Sequence, residues 1–308
     1  MQSSTATVTA ADGTPLFTHR WLPDGDPKAV VQVAHGMAEH SARYARLAEA
    51  LTAAGYAVYA HDHRGHGRTA GPDDHGSFAD HDGWGTVVAD LRAVGEHARA
   101  EHPGLPLFLL GHSMGSFLAR AAVIEDGRDL AGLVLSGTGG DPGLLGRVGA
   151  GVAAAQARVR GRRHRSGLMD TLTFGQYNKA FAPNRTGYDW LSRDDAEVDA
   201  YVADPMCGEV FSAGFFADLL SGLGPINDPK KVAGVRRDLP VLLLAGDADP
   251  VGEQGKGPRA VAQQYREAGL LDVTCTLYPG ARHEIFNETN RDEVVGDLVR
   301  WLDAHLPA

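Results

Sequence analysis

The sequence predicts an α/β protein with a mostly parallel central sheet of about eight strands, helices on both faces of the sheet, and an inserted helical cap. Short apolar runs rich in β-branched residues alternate with longer helical patterns over most of the 308 residues. A hairpin pattern precedes this alternation. The alternation stops over residues 138–228 and then resumes. These three observations together favour a doubly covered sheet with one insertion.

The first predicted element is an antiparallel hairpin over residues 7–23, because the turn pair Asp12-Gly13 separates two extended runs. We expect this hairpin at the edge of the sheet. Further strands are predicted at 29–34, 57–61, 107–110, 133–136, 241–245 and 273–278. Helices are predicted at 42–54, 85–101, 113–125, 257–268 and 291–305.

The stretch 138–228 is rich in Gly, Phe and Tyr and has helical but no convincing strand patterns. It is far longer than the few residues that usually join a strand to a helix. We therefore predict a core made of residues 1–137 and 229–308, with 138–228 inserted as a helical cap. Most apolar cap residues should pack the cap itself, and a minority should line an apolar ligand pocket.

Composition excludes several classes of protein. The 39 acidic and 29 basic side chains give a net charge of −10, which argues against nucleic-acid binding through clustered Lys and Arg. Two cysteines, Cys207 and Cys275, are too few for a disulfide framework and fit a reducing cytoplasm. The first residues lack a signal-peptide pattern, and no apolar run approaches the length of about 20 that spans a bilayer. We expect a cytoplasmic protein, while its oligomeric state stays open.

The segment Gly111-His112-Ser113-Met114-Gly115 joins a predicted strand to a predicted helix. This G-x-S-x-G pattern is typical of a nucleophile elbow, in which a tight turn holds the serine in a strained backbone conformation. Side chains at both glycine positions would collide with neighbouring elements. Ser113 is therefore the predicted nucleophile, at a helix N-terminus that favours developing negative charge.

A serine nucleophile needs a general base and a carboxylate that orients the base. Both types of residue follow later in the chain, at the carboxyl ends of predicted strands. His283 stands in the turn after strand 273–278, and Asp247 and Asp249 stand in the loop after strand 241–245. Because ligands bind outside the carboxyl ends of parallel strands, we expect these groups at one edge of the sheet. Position alone does not choose between the two aspartates.

An early loop, His35-Gly36-Met37-Ala38-Glu39-His40, follows the strand at 29–34. A Gly-containing loop at this place can supply one backbone N–H to an oxyanion, and the residue after the nucleophile supplies the other. The predicted oxyanion donors are therefore the main-chain amides of Met37 and Met114.

With these motifs the chain resembles the monoacylglycerol lipase and lysophospholipase branch of the α/β-hydrolase superfamily, of the serine aminopeptidase S33 type. The likeness covers nearly the whole chain and includes HGMAEHSARY at 35–44 and HDHRGHGR at 61–68. The resemblance implies that Asp249, in Ala248-Asp249-Pro250-Val251, is the triad acid, with Ser113 and His283. It also implies the oxyanion roles of Met37 and Met114.

The resemblance implies a serine carboxyl-ester hydrolase that acts on lipid-like monoesters through an acyl-enzyme on Ser113, with no metal or organic cofactor. Alternatives are a small-ester esterase, or an amide or peptide hydrolase of the same fold. A hydrolase-like ligand-binding protein is a further alternative. An aminopeptidase would need a carboxylate for the substrate amine; Glu39 could serve, although it is better placed to orient the oxyanion loop.

Two other patterns attract attention. His61, His63 and His66 approach a zinc-binding spacing, but the aspartate that such a motif needs is displaced, so a hydrogen-bonded structural loop is favoured. The basic run at 158–165 is interpreted as a solvated face. The alternative is weak attraction of the cap to anionic lipid, which predicts at most transient membrane contact.

Overall fold

The computed structural model describes residues 1–307 of the chain. Eight strands form one sheet. They are β1 (Gln2–Thr9), β2 (Pro15–Leu22), β3 (Ala29–Ala34), β4 (Tyr56–His61), β5 (Leu107–His112), β6 (Leu130–Ser136), β7 (Val241–Gly246) and β8 (Val273–Tyr278).

The order of strands across the sheet is β1-β2-β4-β3-β5-β6-β7-β8. The first two strands form an antiparallel hairpin, β2 runs antiparallel to β4, and all later pairs are parallel. This arrangement confirms the predicted fold class and the edge hairpin. The hairpin begins earlier than predicted, at Gln2, because its first strand is polar on the exposed face and lacks an apolar signal.

The helices lie on both faces of the sheet. They are α1 (Ala45–Ala53), α2 (Gly83–Glu101), α3 (Met114–Asp126), α4 (Gly143–Arg160), α5 (Gly167–Phe174), α6 (Asp195–Ala203), α7 (Ala213–Asn227), α8 (Pro229–Val232), α9 (Lys256–Glu267) and α10 (Arg291–Ala304). One apolar layer joins α1 and α10 to the sheet, and a second joins α2, α3 and α9 to the opposite face. Strands β3, β4, β5 and β7 are buried along their whole length, as expected for parallel strands covered on both sides.

The stretch 138–228, called the cap below, contains α4 to α7 and a 3₁₀ turn at Tyr177–Phe181. Within the described residues it adds no strand to the sheet, and its one β contact is a bridge between Arg165 and Ser212. Helix α7 packs against α4 and also against α3 of the core. Its division from the core as a separate domain stays a prediction.

The basic run at 158–165 forms ion pairs with other parts of the protein, which its interpretation as a solvated face does not suggest. Arg163 pairs with Asp74 and Asp80 of the loop after β4, and Arg162 pairs with Asp218 on α7. The run therefore fastens the link between α4 and α5 to the core and to the rest of the cap. Among the described residues, no helix is both long enough and apolar enough to cross a membrane.

Candidate active site

The elbow at Ser113 lies between β5 and α3, and its backbone is strained. Ser113 has φ +51° and ψ −118°, in the left-handed region that non-glycine residues rarely adopt. Its N–H donates to the Ser136 carbonyl at 2.9 Å, which ties the elbow to the neighbouring strand. A Cβ at Gly115 would clash with the Ala34 carbonyl, and one at Gly111 would clash with the Gly115 carbonyl. Only glycine fits at these two positions, so the elbow needs both.

The structure brings His283 and Asp249 together beside this elbow. His283 Nδ1 lies 3.0 Å from Asp249 Oδ2, and the Asp249 side chain is fully buried. The Val251 N–H donates to the other carboxylate oxygen at 2.8 Å and so fixes its orientation. Asp247, the alternative carboxylate, instead accepts from the Gly280 N–H at 2.6 Å and stabilises the histidine turn.

Ser113 and His283 line the same cavity, but no hydrogen bond joins them in the described part of the chain. Catalytic hydrogen bonds are often long without substrate and tighten only in the reacting complex. With Nδ1 directed at the aspartate, the Nε2 atom of His283 is the ring nitrogen left for the serine.

The surroundings of His283 favour its charged form. Burial alone would lower the pKa of His283, but the charge and hydrogen bond of Asp249, followed by Glu284 and Glu39, raise it above the ordinary value. The His112 ring packs 4.7 Å from the His283 ring, centre to centre. Burial and the charge of His283 lower the pKa of His112 to about 4. His112 is therefore a neutral neighbour, and its Nδ1 hydrogen-bonds with the Ser136 hydroxyl, at 3.1 Å, rather than with a group of the proposed triad.

The two residues predicted to supply the oxyanion amides lie at the cavity that contains Ser113. Met114 is the first residue of α3, where the backbone N–H has no carbonyl of a preceding turn to bind. Gly36 precedes Met37 and lies so close to the elbow that a Cβ at Gly36 would be 3.2 Å from Ser113 Cβ. Met37 and Met114 both line the cavity that contains Ser113.

Glu39 holds the oxyanion loop from inside. Its Oε1 accepts from the Gly36 N–H at 2.6 Å and from the Tyr44 hydroxyl at 2.9 Å, and its Oε2 accepts from Arg43 at 2.8 Å. Burial alone would raise the pKa of Glu39, but the Arg43 charge, and after it the neighbouring His112 and His35, hold it at about 2. Both oxygens are engaged, so Glu39 is poorly placed to bind a substrate amine.

Arg43 extends this network to the histidine turn. It donates two hydrogen bonds to the Glu284 carboxylate, at 2.6 and 2.7 Å, in a bidentate arrangement. The Glu284 N–H in turn donates to the Leu191 carbonyl of the cap at 2.8 Å. One buried guanidinium therefore links the oxyanion loop with the residue that follows His283.

The cap also contacts the oxyanion loop directly. The Ala38 carbonyl accepts from the Tyr201 hydroxyl at 2.8 Å and from the Gly208 N–H at 3.0 Å. Ala38 has φ +61°, so these two bonds hold a strained residue of the loop. Tyr201 also lies under the Arg43 guanidinium, 4.9 Å from it.

The cavity around Ser113 is walled mainly by apolar and aromatic side chains of the cap and core. The Trp190 ring lies 5.1 Å from the His283 ring, and Phe174 and Tyr177 pack against Trp190. The further apolar lining residues are Phe117, Tyr188, Leu191, Leu219 and Val251. Apart from Phe117 and Val251, which belong to the core, these are cap side chains that the sequence could not single out, because cap periodicity does not reveal which face meets the core.

Metal ligands are sparse. His61, His63 and His66 are buried, yet they form no trio of ligand atoms close enough to hold an ion. The one such trio in the described residues is His40, Asp204 and Cys207, in which His40 Nε2 already pairs with Asp204 at 2.8 Å.

Sequence reasoning missed Arg43, Glu284 and Tyr201 as parts of the site. Arg43 stands four residues after Glu39, a spacing that favours an ion pair on a helical turn, and Glu284 directly follows the predicted base. These two features of the sequence could have identified Arg43 and Glu284. Tyr201 gave none, because only the folded cap brings it to the loop.

Comparisons with known proteins agree with this geometry. A family model described as serine aminopeptidase, S33, matches residues 25–290. The chain is 35% identical over 290 residues to a monoacylglycerol lipase of Mycolicibacterium smegmatis, covering 93% of this chain and 92% of that protein. It is 32% identical over 302 residues to the human monoglyceride lipase, covering 95% of this chain and 88% of that protein. A carboxyl esterase structure from Bacillus coagulans, in complex with glycerol, superposes with a TM-score of 0.92 at 28% identity over the full length of both chains.

Proposed function

This chain belongs to the serine aminopeptidase S33 family, and on that premise we propose that it hydrolyses lipid-like monoesters such as a monoacylglycerol or a lysophospholipid. The observation that carries the proposal is the buried Asp249–His283 pair beside the strained Ser113, inside a cavity walled by the aromatic cap. The names of the related lipases and of the esterase support the same substrate class.

In the proposed reaction the Ser113 hydroxyl attacks the ester carbonyl while His283 Nε2 takes its proton. Asp249 keeps the proton on Nδ1 and stabilises the imidazolium that forms. The C–O bond to the alcohol then breaks, and His283 gives its proton to the leaving oxygen. Water, activated by the same imidazole, hydrolyses the acyl-enzyme and releases the fatty acid.

The Met37 and Met114 amides would stabilise the negative oxygen of each tetrahedral intermediate. Preorganised donors of this kind stabilise charge that develops in the transition state, and removing one costs about 100- to 1,000-fold in kcat. The reaction needs no metal or organic cofactor, since every proton and electron pair is supplied by the triad, the ester and water.

Ester substrates are favoured over peptides for a specific reason. An aminopeptidase must hold a substrate ammonium with a free carboxylate, and both oxygens of Glu39 are already occupied by Gly36, Tyr44 and Arg43. A long apolar acyl chain, in contrast, matches the aromatic wall formed by Phe174, Trp190 and their neighbours.

We also propose that the cap touches lipid surfaces transiently. Leu144, Leu145 and Val148 on α4 are 69%, 83% and 55% exposed, and Leu168 and Leu172 add to this apolar surface on α5. Arg162 and Arg163 are paired with acidic side chains, so insertion of apolar side chains should matter more than charge. The test is co-sedimentation with neutral phosphatidylcholine vesicles, which Leu145→Glu should weaken. Unchanged vesicle binding by that variant would contradict the proposal. The cytoplasmic location of the protein stays a prediction.

The deciding experiment compares wild type with Ser113→Ala on 1-monooleoylglycerol, lysophosphatidylcholine and p-nitrophenyl esters of increasing chain length. The matched control is Ser221→Ala, at an exposed serine of α7. We expect turnover of a lipid monoester by wild type and by the control, and none by Ser113→Ala. Cleavage of short esters alone would leave a small-ester esterase. Full activity of Ser113→Ala would refute the assignment of Ser113 as the nucleophile. Tight ligand binding by wild type without formation of an acyl-enzyme would favour a ligand-binding protein.

A further inference from the structure

The peptide between Gly36 and Met37 has one side-chain hydrogen bond in the described structure, and it comes from His35. The Nδ1 atom of His35 lies 2.7 Å from the Gly36 carbonyl oxygen. A carbonyl only accepts hydrogen bonds, so the ring must carry its proton on Nδ1 for this contact to be favourable.

A second contact fixes that tautomer independently. The backbone N–H of His63 donates to Nε2 of His35 at 2.9 Å. A backbone N–H can only donate, so Nε2 must present a lone pair, and the ring must be neutral with its proton on Nδ1. The ring is fully buried, and the rings of His63 and His66 lie 4.2 and 5.1 Å from it. Packing and the hydrogen bonds of both ring nitrogens therefore fix the orientation of the His35 ring.

The hydrogen bond to the Gly36 carbonyl has a direct consequence for Met37. In a trans peptide the C=O and the following N–H point in opposite directions. Because the Gly36 carbonyl is turned toward His35, the N–H of Met37 is turned away from His35. No protein acceptor binds this N–H in the described structure, and Met37 lines the cavity with Ser113.

The other restraints on the loop act on different peptides. Glu39 binds the N–H of Gly36, which belongs to the preceding peptide. Tyr201 and Gly208 bind the carbonyl of Ala38, which belongs to a later one. A rotation of the Gly36–Met37 peptide would leave all three of these bonds intact while turning the donor away from the oxyanion.

We infer that His35 is a positioning residue that holds the Gly36–Met37 peptide so that the Met37 N–H serves the oxyanion of the reaction proposed above. His35 does not touch the substrate. It acts through the peptide, and the His63 N–H selects the ring tautomer that can do so. The inference rests on the proposed ester hydrolysis, since an oxyanion forms only if Ser113 adds to a carbonyl.

Two variants separate the two ring nitrogens. His35→Asn places an amide at the same number of bonds from Cα as Nδ1, so it can still donate to the Gly36 carbonyl. His35→Gln reaches the position of Nε2 and can still accept from the His63 N–H, but it loses the donor to Gly36. Both remove the imidazole ring from the same buried place, so each serves as the packing control for the other.

We expect kcat on 1-monooleoylglycerol to fall about 100-fold in His35→Gln and less than about 5-fold in His35→Asn. Affinity for an uncleavable monoalkyl glycerol ether should stay the same in both, because that ligand forms no oxyanion. A long-chain trifluoromethyl ketone forms a hemiketal oxyanion on the serine. We expect its affinity to fall in His35→Gln by a factor similar to that in kcat.

Equal activity of the two variants, or an equal loss in both with unchanged ketone affinity, would overturn the inference and leave His35 a packing residue. The wild-type protein offers a test without substitution. Long-range proton–nitrogen correlation of its histidine rings should show His35 protonated on Nδ1, and protonation on Nε2 would equally refute the inference. If wild type cleaves no ester, the proposed function fails. The ketone comparison still decides the role of His35, because it needs only the addition of Ser113.

Discussion

Arg43→Met should strongly destabilise the protein, because Arg43 is the shared partner of two buried carboxylates. Its guanidinium lies 2.8 Å from Glu39 and 2.6 Å from Glu284. The three side chains are only 11%, 5% and 7% exposed. Methionine fills a similar apolar volume but leaves two negative charges without a counter-ion inside the fold.

The size of the effect follows from this burial. Removing one partner of a buried ion pair typically costs about 3–5 kcal/mol, because the remaining charge stays desolvated. Burial alone would raise the pKa of each glutamate, and Arg43 is the main group that lowers both. Without it the folded-state pKa values should rise above those of the unfolded chain. The loss of stability should then be largest at alkaline pH and shrink as the pH falls and the carboxylates bind protons.

Urea unfolding at about pH 8 and about pH 5.5 measures the free energy of unfolding and its pH dependence. Arg128→Met is the control, since Arg128 is 84% exposed, and its loss should leave the free energy of unfolding nearly unchanged. The double variant Arg43→Met/Glu284→Gln removes one orphaned charge and should recover part of the loss at pH 8. If Arg43→Met lies within about 1 kcal/mol of wild type at pH 8, the reasoning about buried charge is wrong. The reasoning is also wrong if the double variant recovers none of the lost free energy of unfolding.

Three further predictions concern the triad, the cap and the buried histidines. Asp249→Asn should lower kcat about 10,000-fold, because the wrong histidine tautomer is stabilised. Asp247→Asn should retain most activity on 1-monooleoylglycerol, and equal losses would contradict the assignment. Tyr201→Phe deletes one of two hydrogen bonds to the oxyanion loop and should lower kcat about 10-fold without changing affinity for the uncleavable ether. A change in ether affinity alone would point to a substrate contact instead. Burial and neighbouring histidine charge lower the pKa of His61 and His66 to about 3, below the unfolded value of 6.5. Their contribution to the free energy of unfolding should therefore be fully present above about pH 7. Below pH 6.5 the free energy of unfolding should fall by about 1.4 kcal/mol per pH unit for each histidine, as measured by urea unfolding. A free energy of unfolding that stays constant from pH 6.5 to 5 would refute this.

Much of the fold was predictable because parallel strands buried on both faces appear as short apolar runs. The strands at 29–34 and 273–278 match the predicted bounds, and β5 and β7 extend slightly further than predicted. The start of β6 at Leu130 was missed, because Ala131 and Gly132 give little strand signal. The resemblance to the α/β-hydrolase branch is confirmed by the family match and the relatives.

The placement of the candidate site residues was predictable where chemistry and spacing coincide along the chain. Ser113 stands between a strand and a helix, and His283 follows the end of a strand, so sequence alone places both at one edge of the sheet. Contacts between distant segments were not predictable. The pairing of Arg163 with Asp74 joins residues 89 positions apart, and periodicity carries no information about such pairs. For the same reason the choice between Asp247 and Asp249 needed the family pattern.

The ties between cap and core restrict how the cap can move to admit a lipid. The segment around Trp190 and Leu191 accepts backbone hydrogen bonds from His283 and Glu284, and Tyr201 holds the oxyanion loop. Displacing this part of the cap would disturb the proposed base and the proposed oxyanion donors together. Helix α4 has no comparable tie to the reacting groups and carries the exposed leucines at 144 and 145. We therefore expect entry of substrate to be controlled by α4 and the adjoining α5, while residues 189–208 of the cap stay fixed on the loops that carry the proposed base and oxyanion donors.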